Sequence, residues 1–120
     1  MEGKIVHMEL PAKDTGRATK FWGSLCGWTF QHYDGPIEYH MFEGDPGGGI
    51  YPQQMGETGP IVYFGTEDLE AEMAHVRELG GEAGEKSPVP AMGWYSQCKD
   101  TEGNAFAIWQ SDESAPAREG

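Results

Sequence analysis

Ile5-Val6-His7-Met8-Glu9-Leu10-Pro11-Ala12-Lys13-Asp14-Thr15-Gly16-Arg17-Ala18-Thr19-Lys20-Phe21-Trp22-Gly23-Ser24-Leu25-Cys26-Gly27 joins a strand pattern to a helix pattern. Side chains alternate along a strand, so Ile5 to Leu10 puts Val6, Met8 and Leu10 on one face and Ile5, His7 and Glu9 on the other. The first face reads as core. The second sets an imidazole and a carboxylate two residues apart. Pro11 is expected to close the strand, and Asp14 or Thr15 supplies a helix cap. Ala18, Phe21, Trp22 and Leu25 form the expected apolar stripe, with Gly27 as the stop.

The same order returns 54 residues later. Ile61 to Gly65 reads as a strand, Thr66 and Asp68 as caps, and Leu69, Met73, Val76 and Leu79 as a helical stripe ending at Gly80-Gly81. The offset sets Asp14 against Asp68, Leu25 against Leu79 and Gly27 against Gly81, while His7 falls opposite Ile61 and Glu9 opposite Tyr63. Two strand-helix units, each followed by short strands, predict a duplicated α+β unit.

Between them, Trp28 to His32 and Ile37 to Phe42 read as strands around the turn formers Asp34-Gly35-Pro36. Gly44-Asp45-Pro46-Gly47-Gly48-Gly49 has neither the ending of a P-loop nor the spacing of a dinucleotide fingerprint, so it predicts a turn into a strand near Gly49-Ile50. In the second half, Ser87 to Trp94 reads as a proline-rich loop and Trp94 to Cys98 as a strand. Asp100-Thr101-Glu102-Gly103-Asn104 is a polar turn with a left-handed position at Gly103 or Asn104, and Ala105 to Gln110 is the last strand.

The 120 residues suit one domain with a core of its own. A formal charge of −12, from 20 acidic and 8 basic side chains, argues against nucleic acid, which needs clustered Lys and Arg. No apolar run of membrane-spanning length occurs and no secretion signal is visible, so a cytoplasmic protein away from membranes is expected. Cys26 and Cys98 are expected to be free thiols.

The chain resembles the small glyoxalase/bleomycin-resistance/dioxygenase-like members of the vicinal oxygen chelate superfamily. The resemblance covers residues 4–110. It rests on His7-Met8-Glu9-Leu10-Pro11 with Asp14, Ala18, Phe21, Trp22, Gly23, Leu25, Gly27 and Trp28. Further on, it rests on Asp68-Leu69, Gly80-Gly81, Pro88 to Gly93, Asp100 and Glu102-Gly103-Asn104. It implies an α+β fold of two βαβββ modules, residues 4–50 and 61–110, with curved sheets around a cavity. Residues 51–60 become a linker and 111–120 a flexible tail. The resemblance also implies a homodimer.

In enzymes of the superfamily a divalent metal is held by four ligands. Carried over, their places fall at His7, near Gly49 or Ile50, at Ile61 and at Ala107. Isoleucine and alanine offer no donor, so His7 is the one retained candidate and no metal cofactor is expected. The residues favour instead a metal-free cavity binding a small-molecule ligand, with His7, Glu9, Tyr63, Met92, Tyr95, Ala107 and Trp109 as lining candidates. The acidic balance suits a polar or cationic ligand. A metal-dependent lyase or dioxygenase and an antibiotic-sequestering protein are the alternatives. If there is catalysis, His7 is the expected general base, tuned by Glu9 or Tyr63.

Overall fold

The computed structural model describes residues 1–35 and 37–117; Pro36 of the expected turn and the last three residues of the expected tail lie outside them. The chain divides into two compact units, Val6–Val62 and a second formed by Met1–Ile5 with the chain from Tyr63 onward. The element order is β1 Ile5–Ala12, α1 Thr15–Cys26, β2 Phe30–Tyr33, β3 Tyr39–Phe42 and β4 Gly48–Pro52. Then come β5 Ile61–Gly65, α2 Leu69–Glu78, β6 Glu82–Ala83, β7 Ser87–Val89, β8 Gly93–Lys99 and β9 Ala105–Ser111. The architecture is α+β with two βαβββ modules, the second carrying the additional short strand β7.

Both modules repeat one topology. In the first, the strands run β2-β3-β4-β1, and in the second β6-β8-β9-β5, with β7 paired to β8. Each ends on a parallel pair between its first and last strand: Met8 lies opposite Gly48 in one and Tyr63 opposite Ala107 in the other. A parallel pair needs a crossover, and the helix after each first strand lies within it. This is the duplication that the 54-residue offset expresses.

The helix termini follow their capping residues. The Asp14 carboxylate accepts from the Arg17 N–H at 3.0 Å and the Asp68 carboxylate from the Ala71 N–H at 3.1 Å, each contributing about 1 kcal/mol. Gly27 ends α1 in the left-handed conformation, φ 72°, a backbone shape that costs an L side chain energy. After α2 the left-handed residue is Gly80, φ 94°, rather than its neighbour Gly81.

The stripe of α1 is turned from its expected position. Phe21 and Leu25 are 57% and 66% exposed, and the half-buried side is instead Ala18, Thr19, Trp22 and Gly23. The reason lies in Gly23 and the tryptophans. A Cβ on Gly23 would stand 3.2 Å from the Trp28 carbonyl, so the bare backbone comes close there. Trp22 stacks on Trp28, and Trp28 on the buried Phe42 with centroids 3.9 Å apart. These large rings take the inward side, leaving Phe21 and Leu25 beside Arg17, Lys20 and Ser24 along a shallow surface groove. Leu79, the counterpart of Leu25, is exposed as well.

The core of the second unit gathers Leu69 and Met73 of α2, Cys98 of β8 and Ile108 of β9, with Val76, Ala83, Trp94 and Phe106 packed against it. Gln110 ties α2 to this sheet by accepting from the Leu69 N–H at 2.9 Å. The Asp100 turn has Gly103 at φ 85°, and the Asp100 carboxylate accepts from the backbone N–H groups of Glu102 and Asn104, both at 2.8 Å.

Several boundaries differ from the sequence reading: β2 begins at Phe30 and β3 at Tyr39, and Ser87–Val89, read as loop, is the strand β7. Pro11 does not end β1, which continues opposite Tyr51 to Ala12, whose carbonyl accepts from the Gln53 N–H. Tyr51 and Pro52 belong to β4, and Tyr51 is buried. Ser111 belongs to β9, and Asp112 and Ala115 fold back within the unit. There the Asp112 N–H donates to the Met92 carbonyl, the Ala91 N–H to the Ala115 carbonyl, and the Trp94 indole to the Asp112 carboxylate. Among the described residues no helix is long and apolar enough to cross a membrane.

Candidate functional site

Neighbouring strands of the first unit bring three polar side chains to one face. His7 and Glu9 project from the same side of β1, and Glu9 lies opposite Gly49 of β4. Because Gly49 has no side chain, the ring of Tyr39 on β3 crosses β4: a Cβ at Gly49 would fall 2.1 Å from Cζ of that ring. The Tyr39 hydroxyl thereby reaches β1. It donates to the Glu9 carboxylate at 2.9 Å and stands 2.7 Å from His7 Nε2. Since that hydroxyl spends its proton on Glu9, it accepts from His7, which places the imidazole proton on Nε2.

The three rings His7, Tyr39 and Tyr51 follow one another in near-parallel planes, tilted by 11° and 19° with centroids 6.4 Å apart at each step. Tyr51 donates to Glu57 at 3.1 Å, and the other oxygen of Glu57 accepts from the N–H groups of Gln54 and Met55. The 53–57 loop is thus pinned to the ring next to Tyr39.

Electrostatics fix the protonation of this chain. Burial holds the His7 imidazole below its ordinary value, so it is neutral at pH 7. Burial, followed by the Glu9 charge and the hydrogen bond to Glu9, drives the Tyr39 phenol far upward, and burial with the Glu9 charge does the same at Tyr51. Both phenols therefore remain hydrogen-bond donors across the physiological range. The arrangement can orient a polar ligand, or hold a proton at a defined atom.

A pH dependence follows from His7. Its folded value lies below the unfolded value of about 6.5, so the unfolded chain takes up a proton first as pH falls. The contribution is intact above pH about 6.5 and is lost as pH drops from there toward the folded value. Urea unfolding between pH 7.5 and 5.5 is expected to show the native chain losing up to about 1.4 kcal/mol per pH unit relative to His7→Gln. Parallel curves for the two proteins would contradict a buried neutral His7.

The other lining candidates lie on β5, β8 and β9 and the loop before β8. Tyr63 is opposite Ala107, and Tyr95 opposite Trp109, so these four share one face of the second unit. Tyr63 and Tyr95 have ring centroids 6.5 Å apart. Ala107 is fully buried, and Met92 is exposed in the loop. The Trp109 ring lies over Gly93, where a Cβ would fall 2.6 Å from it, and its indole donates to Ser111. Aromatic over glycine thus recurs in both modules.

Tyr39 and Tyr51 were absent from the sequence candidates. The visible signals were the bare Gly48-Gly49 pair in a strand and a tyrosine on the strand next to it; their joint meaning depends on register.

The resemblance assigns metal ligands to His7, to the neighbourhood of Gly49 and Ile50, to Ile61 and to Ala107. Ile61 and Ala107 carry no donor, the space at Gly49 is filled by the Tyr39 ring, and His7 Nε2 is engaged with Tyr39. Among the described residues no three His, Cys, Asp or Glu side chains converge to hold an ion.

Residues 6–109 match the glyoxalase-like domain family. The chain belongs to that family, within the vicinal oxygen chelate superfamily. A glyoxylase-like domain-containing protein of Didymella fabae is 30% identical over 122 residues, spanning 90% of this glyoxalase-like chain and 94% of that protein. The fold is also that of a hypothetical protein from Bacillus halodurans C-125, with a TM-score of 0.76 at 14% identity, covering 98% of this chain and 100% of that one. A methylmalonyl-CoA epimerase from Mycobacterium tuberculosis superposes with a TM-score of 0.69 at 11% identity, covering 98% and 93%. At such identities the likeness of these structures is one of fold.

Proposed function

We propose that this glyoxalase-like protein binds a small organic molecule, without a metal, at the face carrying His7, Tyr39 and Glu9. The observation that carries the reading is the Tyr39 hydroxyl, which joins His7 to Glu9 across a strand whose glycine makes room for the ring. A neutral imidazole, two protonated phenols and a carboxylate form a short, oriented set of donors and acceptors flanked by aromatic surface. That is the composition of a site that fixes one polar end of a ligand. Glu9 and the net charge of −12 favour a ligand bearing a hydrogen-bond donor or a positive charge. The shared fold of methylmalonyl-CoA epimerases leaves the reaction open, because one fold hosts many activities.

The test is a small-molecule library screened by nuclear magnetic resonance on the full chain. A ligand that moves the His7 and Tyr39 ring signals, and binds at least about tenfold more weakly to Tyr39→Phe, is the expected result. Elemental mass spectrometry on protein purified without chelator or metal-affinity resin supplies the opposing outcome. Near-stoichiometric metal that disappears in His7→Ala would overturn the metal-free reading and restore a lyase or dioxygenase.

A further inference from the structure

The β2–β3 hairpin carries a pattern that the His7 face does not use. His32-Tyr33-Asp34 leads out of β2 and Glu38-Tyr39-His40 leads into β3, so a His-x-Asp order is mirrored by Glu-x-His. Antiparallel pairing sets His32 directly opposite His40. Residues two apart share a face, and neighbours point oppositely, so this side is turned away from Tyr39 and its partners. The two imidazole rings are 5.5 Å apart. His40 Nε2 lies 2.6 Å from a Glu38 oxygen that also accepts from the Thr15 hydroxyl, and His32 Nδ1 lies 3.4 Å from Asp34. His32, Asp34 and Glu38 line one surface depression with Gly35 and Ile37.

We propose that this hairpin end binds a divalent late first-row transition ion such as Zn²⁺, with His32 and His40 as nitrogen ligands and Glu38 as the carboxylate. Imidazole with carboxylate suits such ions, whereas Mg²⁺ and Ca²⁺ take oxygen donors. The donors do not converge as they stand, so the site closes by side-chain rotation. His32 and Asp34 are exposed enough to rotate without disturbing the core, while Glu38 is already aligned by Thr15. His40 is hydrogen-bonded to Glu38, and His32 stands within ion-pair distance of Asp34; an ion can replace either carboxylate as the partner of its imidazole. The acidic surface favours a cation there.

The experiment is calorimetric titration of the metal-stripped, untagged full chain with ZnCl₂, with the histidine ring resonances followed in parallel. Expected are uptake of one ion per chain, shifts of the His32 and His40 signals, and weakening by more than about tenfold in both His32→Gln and His40→Gln. Even the outer partners of metal ligands are worth ~10–100-fold. His7→Gln is expected to bind as the native chain does, which separates this site from the face in the functional proposal. Circular dichroism of both hairpin variants checks that they are folded. No uptake by the native chain, uptake insensitive to both hairpin substitutions, or uptake lost in His7→Gln would each overturn the proposal.

Discussion

Gly49→Ala is expected to expel Tyr39 from its place between His7 and Glu9 while leaving the fold in being. The added methyl carbon would stand 2.1 to 2.4 Å from Cζ, Cε1 and the hydroxyl oxygen of the Tyr39 ring, far inside contact distance. The strand cannot yield easily, since Gly49 is paired with Glu9 on one side and Met41 on the other. The ring must move, and its hydrogen bonds to Glu9 and His7 go with it. Crowding of this kind costs about 1–3 kcal/mol, and loss of a hydrogen bond to a carboxylate adds about 1.5–3 kcal/mol. Urea unfolding should therefore show a loss of about 3 kcal/mol or more, with the His7 ring resonance displaced in the folded protein. Tyr39→Phe should share the resonance change without the crowding. Native stability with an unmoved His7 signal in Gly49→Ala would mean that the ring has room to spare and that the glycine is incidental.

Leu69→Ala is expected to have the other large effect, in the second unit. Leu69 is fully buried as the first residue of α2, in the same cluster as Met73, Cys98 and Ile108. Its backbone N–H is held by Gln110 of β9, so the helix end cannot slide inward to fill the gap. Truncation of a buried leucine costs about 2–5 kcal/mol, rising with the cavity left behind. The upper half of that range is expected here, read as a fall in the urea midpoint at unchanged slope. The matched substitution Leu79→Ala, at an exposed position, should cost less than about 0.5 kcal/mol and serves as the control. Equal losses at the two positions would contradict the inward side assigned to α2.

How the sequence relates to these results differs from residue to residue. Asp14, Asp68, Gly27 and Gly103 could be placed because their roles are local. A cap is decided by the three residues that follow it, and a left-handed turn by the absence of a Cβ. The alternation of His7 and Glu9 is local too, and so is the duplication, since matched caps and stops recur at one spacing. Phe21 and Leu25 were misplaced because a helix of mixed composition offers more than one apolar side. Trp22, with Trp28 and Phe42, settled which one turned inward. β6 and β7 are two and three residues long, too short to carry a period.

The sequence by itself determined the α+β class and the duplication, because these rest on periodicity and capping that act within a few residues; the two βαβββ modules and the family followed from the resemblance of its motifs. Only the tertiary structure decided that Tyr39 stands between His7 and Glu9, and that His32 faces His40. Those relations depend on strand register: His7 and Tyr39 are 32 residues apart in the chain, and only the pairing of β3 with β4 and of β4 with β1 brings them within hydrogen-bonding distance.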